Sequence, residues 1–277
     1  VPKVSVRLCK EATMIDIITL RGTGEPRNSD GTPAGMLHDV TKLLDTGKFS
    51  CFEPDWPASV GPVPEVWGPS LETSVRLGIA AGVKAIQDSP NVCGLLSYSL
   101  GGICASRILE GVQAGKYKNT DGTPLEIAFV VNIANPLRRA GQSVGNLCPV
   151  STFGLHGQRG TWPAAVAVRE YANPGDIITA SPKNSPLRII GVGVSPFSFV
   201  EGARIGDVAP LIFAELLEIL LRDPIGNLDR YTAAVRGVVG YLTPWPYGQH
   251  VLYNHQHMPG TNVPWTTHAA EYINTTY

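Results

Sequence analysis

The stretch Val92-Cys93-Gly94-Leu95-Leu96-Ser97-Tyr98-Ser99-Leu100-Gly101-Gly102 constrains the fold more than any other part of the chain. An apolar run suited to a buried strand ends in the small residue Ser97. Ser99 then stands between Tyr98 and Leu100, two glycines follow, and residues 103–110 can open a helix. Strand, sharp turn and helix in that order turn a G-x-S-x-G-like pattern into a strained elbow that lifts the serine hydroxyl out of the sheet edge. Strand and helix backbones approach closely there, so only small residues fit two positions before and two after the serine. Gly101 meets that demand. Ser97 replaces the usual first glycine and is still small. The competing reading is a serine on an ordinary strand–helix turn.

Strands and helices alternate along the chain. Residues 14–20 form a β-rich run that ends in the glycine-rich loop Arg21-Gly22-Thr23-Gly24-Glu25-Pro26. Residues 34–44 predict a helix, 50–56 a short strand, and the stretch to Pro69 a Pro/Gly-rich loop. Ser70 can cap a helix reaching about Asp88, with Glu72 in its first turn. Residues 127–134 are a continuous β-branched run that suits a strand buried on both faces. Residues 166–172 predict another strand, closed by Asn173-Pro174-Gly175-Asp176. The alternation implies an α/β fold with a central, mainly parallel sheet flanked by helices. After Pro182 the only further strand expected is 187–194. Helices at 211–222 and 231–242 follow, so residues 195–245 are expected to be a helical insertion, either a lid or two more core-covering helices. The whole chain, 1–277, is expected to form one catalytic domain around that insertion.

Composition excludes several classes. The 277 residues are 43% hydrophobic, enough to fill a sizeable core. A net charge of −1 supplies no basic field for nucleic acid or anionic lipid. The most apolar stretch, 208–221, is interrupted by Glu215 and Glu218, so no membrane span is expected. No signal-peptide pattern is visible from Val1. The cysteines Cys9, Cys51, Cys93, Cys104 and Cys148 are odd in number and match no zinc spacing. Cys93 and Cys104 read as core residues, and a single Cys9–Cys51 bridge stays open.

A serine nucleophile needs a base and a group that orients the base. In α/β-hydrolases these follow in the order Ser, Asp or Glu, His. Asp176 sits just past a later strand, where the acid belongs; a plain turn aspartate is the alternative role. Asp207, Asp223 and Asp229 stand at helix edges, where capping is more usual. The base must then be His250, His255, His257 or His268. His250 lies in a loop after the inserted helices and is favoured, with His255 its closest rival. His38 and His156 precede Asp176. His250, His255 and His257 together lack the i, i+4 pair and the Cys or acid that a zinc site needs, so no metal or other cofactor is expected. Two N–H groups must face the developing oxyanion. Leu100, next to Ser99, supplies one, and Thr23, in the loop after the first strand, the other along with its hydroxyl.

These residues together resemble the cutinase-like serine esterases. Arg21-Gly22-Thr23-Gly24-Glu25 looks like their oxyanion loop and Ser97-Tyr98-Ser99-Leu100-Gly101-Gly102 like their Gly-Tyr-Ser-Gln-Gly elbow. Asn173-Pro174-Gly175-Asp176 looks like their acid turn and His250-x-x-Tyr253 like their histidine loop. Within that group the likeness is to the mycobacteriophage lysin B esterases, through residues 57–62, Asn135-Pro136-Leu137-Arg138, Gly154-Leu155-His156-Gly157 and the insertion before His250. The resemblance implies an α/β-hydrolase with a Ser99, Asp176, His250 triad and a Thr23, Leu100 oxyanion hole. It implies hydrolysis of the mycolate ester of mycolylarabinogalactan by a protein made in the host cytoplasm and acting on the host envelope at lysis. A general lipid or polyester esterase of the cutinase type is the alternative, and a non-catalytic hydrolase-fold binding protein a second. Leu100 in place of Gln is expected to remove a polar contact near the acyl pocket. Trp56, Trp67, Trp162, Trp245, Tyr247 and Trp265 are candidate walls for an acyl groove, although most aromatic residues simply pack cores. Oligomeric state is not readable from the sequence.

Overall fold

The structure, a computed structural model, describes residues 14–60, 68–185, 188 and 249–277. The expected insertion at 195–245 lies outside the described residues, as does the strand at 187–194 except for Arg188. Five strands form one parallel sheet: β1 (Ile15–Leu20), β2 (Phe49–Phe52), β3 (Val92–Tyr98), β4 (Ile127–Ile133) and β6 (Ala167–Tyr171), in the order β2-β1-β3-β4-β6. A small antiparallel ribbon pairs β5 (Thr152–Phe153) with β7 (Ser181–Pro182). The helices are α1 (Gly35–Thr41), α2 (Leu71–Asp88), α3 (Leu100–Gln113) and α4 (Trp265–Thr276).

The core follows from strand alternation, which sends successive side chains to opposite faces. Ile18, Leu20, Leu95 and Val130 meet Val83 and Ile86 of α2 and Ile103, Ile108 and Leu109 of α3 on one face. Ile17, Leu96, Phe129, Val131 and Ile133 meet Met36, Leu37 and Val40 of α1 and Trp265, Ala269 and Ile273 of α4 on the other. From β1 the chain moves outward to β2, whereas from β3 it moves to β4 on the opposite side. The ends of β1 and β3 are therefore adjacent strand ends from which the chain departs in opposite directions. Such a switch point opens a crevice in a parallel sheet.

Several expected elements are shorter than the sequence patterns. The strand foreseen over 50–56 stops at Phe52, because Glu53 turns inward and Pro54 has no N–H to donate to a ladder. The helix foreseen over 34–44 ends at Thr41, and residues 42–44 close it in tight turns. The α2 cap is as expected, with Ser70 Oγ accepting from the Thr73 N–H at 3.2 Å. Helix α4 was not foreseen, although Trp265, Ala269, Ala270 and Ile273 recur at helical spacing on its buried face. Cys51, Cys93, Cys104 and Cys148 are free thiols, so Cys51 takes no part in a bridge.

A polar network crosses the sheet beneath α3. The Ser97 hydroxyl donates to Asn132 Oδ1 at 2.5 Å, and Asn132 Nδ2 donates to Glu170 Oε1 at 3.0 Å. Asn135 Nδ2 donates to the same Glu170 oxygen at 3.2 Å and lies 3.4 Å from Ser106 Oγ on α3. The three linked strand residues are register partners, Ser97 with Asn132 and Asn132 with Glu170. Burial is the main cause that pushes the Glu170 carboxyl up to about 7, against the Asn132 and Asn135 amides and the nearby Arg159 and Arg138 charges, which lower it. A carboxyl raised in the folded state lends stability that is complete below its unfolded value and is lost as pH rises through the folded value. Glu53, raised to about 7 chiefly by burial, acts in the same direction. Thermal melts should therefore show lower stability at pH 8 than at pH 5. Glu170→Gln should flatten that slope by roughly 3 kcal/mol between the two conditions; an unchanged slope would assign the pH dependence elsewhere.

Candidate active site

Ser99 falls between the last residue of β3 and the first of α3, with φ 50° and ψ −116°. A non-glycine residue there is strained and persists only where its surroundings over-determine it. Its N–H donates to Ile133 O at 3.0 Å, and its carbonyl accepts from Gly102 at 2.8 Å. The sterics behind the turn are severe: a Cβ on Gly101 would lie 1.8 Å from the Leu20 carbonyl oxygen at the end of β1. Leu100 is 3% exposed and packs into the α3-side core. The Leu100 side chain is thus taken up by the core. Its N–H belongs to the first turn of α3, whose amides have no intrahelical acceptor.

Asp176 closes the turn after β6. Its N–H donates to Asn173 O at 3.0 Å, while Asn173 Oδ1 accepts from the Gly175 N–H at 2.9 Å. His250 sits in a short 3₁₀ turn, Gln249–Val251. The structure brings it between the other two residues: Nδ1 lies 2.9 Å from Asp176 Oδ2 and Nε2 lies 2.7 Å from Ser99 Oγ. All three are nearly enclosed, at 6% exposure for Ser99, 1% for Asp176 and 5% for His250. Tyr98 secures the histidine from below. Its hydroxyl donates to the His250 carbonyl at 2.8 Å, and the two rings stack with centroids 5.4 Å apart. Asn173 Nδ2 donates to both Gln249 Oε1 and Gln256 Oε1 at 2.9 Å, stitching the acid turn to the histidine segment.

The other candidates are placed apart from Ser99. His255 and His257 are exposed, and His268 Nδ1 lies 3.0 Å from the Tyr171 hydroxyl. His38 is exposed on α1, and burial pushes the His156 imidazole down to about 4. Asp207, Asp223 and Asp229 lie outside the described residues. Among the described residues no group of three or more His, Cys, Asp or Glu is placed to hold a metal ion, and no helix is long and apolar enough to cross a membrane. Trp56, Trp162 and Trp265 are buried core residues, the second of the two roles open to them. Trp67, Trp245 and Tyr247 lie outside the described residues.

The glycine-rich loop after β1 is fastened at every turn. Arg21 is buried over the Trp56 ring; its Nη1 donates to Glu53 Oε1 at 3.1 Å and its Nη2 to the Trp56 carbonyl. Gly24 donates to Ala58 O at 2.9 Å. Glu25 accepts from the Gly22 N–H at 3.0 Å and from the Met36 N–H at 2.7 Å, so one carboxylate ties the loop to the start of α1. Burial raises the Glu25 pKa, opposed by those two amides and the nearby His250. A Cβ on Gly22 would lie 2.6 Å from the Tyr98 ring, so this loop packs directly against the residue before Ser99. Thr23, half-buried in the turn, thus stands beside the elbow. The roles of Tyr98, Asn173 and Glu25 were not read from the sequence. Only Glu25 left a signal, an acid three residues after the amide it accepts from, the spacing of a capping box.

The fold and the arrangement around Ser99 define an α/β-hydrolase-fold protein. Among solved structures, the chain is similar to lysin B from Mycobacteriophage D29, with a TM-score of 0.54 and 16% identity over 94% of this chain and 99% of that one. Similarity is lower to an acetyl xylan esterase, TM-score 0.45 and 20% identity over 69% of this chain and 99% of that one. It is lower also to a cutinase-like protein from Cryptococcus sp., TM-score 0.43 and 15% identity over 70% and 98%. No family model matches the chain and no curated protein matches its sequence.

The elbow geometry yields a direct test. Gly101→Ala must push α3 away from the end of β1, because the added methyl meets backbone and not a movable side chain. Overpacking of this kind costs about 1–3 kcal/mol or more. The variant should melt earlier and lose reaction with serine-directed probes; wild-type melting and reactivity would show that the two backbones are not in contact.

Proposed function

We propose that this chain is a serine esterase in which Ser99 is the nucleophile, His250 the general base and Asp176 the residue that orients it. The observation that carries the reading is the continuous chain of contacts from Ser99 Oγ to His250 Nε2 at 2.7 Å and from His250 Nδ1 to Asp176 Oδ2 at 2.9 Å, with Ser99 on a strained elbow. His250 Nε2 takes the Ser99 proton as Oγ adds to an ester carbonyl. Asp176 stabilises the imidazolium. The N–H groups of Leu100 and Thr23, with the Thr23 hydroxyl, face the oxyanion. His250 returns the proton to the departing alcohol, and a water activated by the same imidazole then hydrolyses the acyl-enzyme to the free acid. No cofactor enters any step.

For substrate, we propose the mycolate ester of mycolylarabinogalactan. Support comes from residues 57–62, Asn135-Pro136-Leu137-Arg138 and Gly154-Leu155-His156-Gly157, which resemble segments of the lysin B esterases, and from the fold shared with a mycobacteriophage lysin B over 94% of this chain. On this reading the protein is made in the cytoplasm of an infected host and acts on the host envelope at lysis.

Fluorophosphonate labelling with peptide mapping should mark Ser99 alone. Ser99→Ala should fold and lose roughly 10⁴-fold or more in ester hydrolysis; retained turnover of a short p-nitrophenyl ester would remove Ser99 from the role. Incubation with purified mycobacterial cell wall should release free mycolic acids above the Ser99→Ala control. Brisk turnover of small esters without mycolate release would favour a general esterase. Thr23→Val keeps the shape and the N–H. If the hydroxyl helps hold the oxyanion, kcat should fall by about 10-fold to 10³-fold with KM little changed; an unchanged kcat would limit Thr23 to its backbone.

A further inference from the structure

Tyr253 lies three residues beyond His250, with its ring buried against Trp265 at a centroid distance of 5.6 Å. Its phenol oxygen has two partners, each at 2.9 Å: the Asn173 backbone nitrogen and Asp176 Oδ2. A backbone amide can only donate, so the phenol oxygen accepts from Asn173 and its own proton is left for Asp176. Burial, then the Asp176 charge, raises the phenol well above its ordinary pKa, so it stays a neutral donor. The other carboxyl oxygen, Oδ1, accepts from the Ile178 N–H at 3.0 Å. Both oxygens of Asp176 are thus engaged by groups that give protons. Oδ2 also faces His250 Nδ1 at 2.9 Å, and a carboxylate accepts only, so Nδ1 must carry hydrogen. That leaves the Nε2 lone pair toward the Ser99 hydroxyl.

We infer that Tyr253 is a fourth, positioning member of this set, holding the Asp176 carboxylate in place through Oδ2 and thereby fixing His250 in the tautomer that can accept the Ser99 proton. The inference rests on the esterase reading. Its structural economy is that base and positioning phenol share one segment, so a displacement of residues 250–253 would disturb both ends of the Asp176 contact together. Other titratable groups face the set. Cys148, its Sγ 3.3 Å from Ala172 O, approaches the acid turn, and burial keeps its thiol neutral. Glu25 approaches His250 from the glycine-rich loop.

Tyr253→Phe tests the inference. Loss of a hydrogen bond to a charged group should lower kcat by about tenfold, with KM within about twofold. The undiluted Asp176 charge should hold imidazolium more strongly and move the acid limb of the kcat/KM profile upward by about half a pH unit. In an Asp176→Ala background the same substitution should cost less than about twofold, because the group through which Tyr253 acts is gone. Site-specific 3-fluorotyrosine at 253 keeps the shape and strengthens the donor, so it should move the acid limb downward; it carries the test if the Phe variant does not fold. An unmoved profile, or an equal loss in both backgrounds, would overturn the inference. Failure of wild-type Ser99 to label with fluorophosphonate would instead overturn the esterase reading, so the two failures are distinguishable.

Discussion

The backbone of β1 meets the backbone of α3 where the Leu20 carbonyl faces the α-carbon of Gly101 with no room for a methyl between them. Much of the site depends on that contact. It requires the chain to leave β3 through a turn too tight for ordinary dihedrals, which places Ser99 at positive φ with its side chain beyond the strand end. It also fixes the start of the glycine-rich loop, since Arg21 follows Leu20 directly. The nucleophile candidate and the loop that would hold its oxyanion are therefore positioned by the same van der Waals limit. The strain at Ser99 is offset by the Ile133 and Gly102 hydrogen bonds and by a core that leaves α3 nowhere else to go.

The second half of the site has no such rigid neighbour in sequence. His250 is 151 residues from Ser99 and 74 from Asp176. Among the contacts that set its place are Tyr98 at its carbonyl, Asn173 through Gln249 and Gln256, and Asp176 and Ser99 at the two ring nitrogens. Tyr98 is the economical choice among these. It is the last residue of β3, so the strand that presents Ser99 also grips the histidine's carbonyl. The acid turn is supported from its other side by Arg138, a fully buried guanidinium that donates to Thr179 O, Thr152 O and Thr152 Oγ1 at 2.8 to 3.0 Å. Almost every donor on that side chain ends on a backbone carbonyl, so its charge serves loop geometry more than ion pairing.

What was legible in the sequence follows from how local each determinant is. The elbow could be read because glycine, serine and a buried strand must sit at fixed offsets within a few residues. The alternation of β-branched runs and capped helices exposed the parallel sheet for the same reason. Helix α4 was obscured because its buried face uses two alanines beside Trp265 and Ile273, a weak hydrophobic signal that gains meaning only against α1 and the sheet. The β5–β7 ribbon is only two residues long on each side and leaves no periodicity. Trp56, Trp162 and Trp265 could have served groove or core, because an aromatic side chain does not declare whether its large apolar area faces ligand or core. Chain order favoured Asp176 and His250, but no sequence pattern could show that Tyr253 bridges Asn173 and Asp176, since that link spans 80 residues.

The two departures from the family-like elbow show which features of the motif are chemical and which are spatial. Position 100 tolerates leucine because the proposed use of that residue is its N–H, and the side chain is free to serve the core. Position 97 tolerates serine because a hydroxyl on that face meets Asn132, itself bound to Glu170, and so enters a satisfied network instead of standing buried and alone. An unsatisfied hydroxyl at the same place would cost about 1–3 kcal/mol. A Ser97 without Asn132 opposite would therefore be a worse fit than glycine, and the two positions should be read as one choice. Gly101 has no such partner residue, because what it faces is backbone, which no substitution elsewhere can shorten.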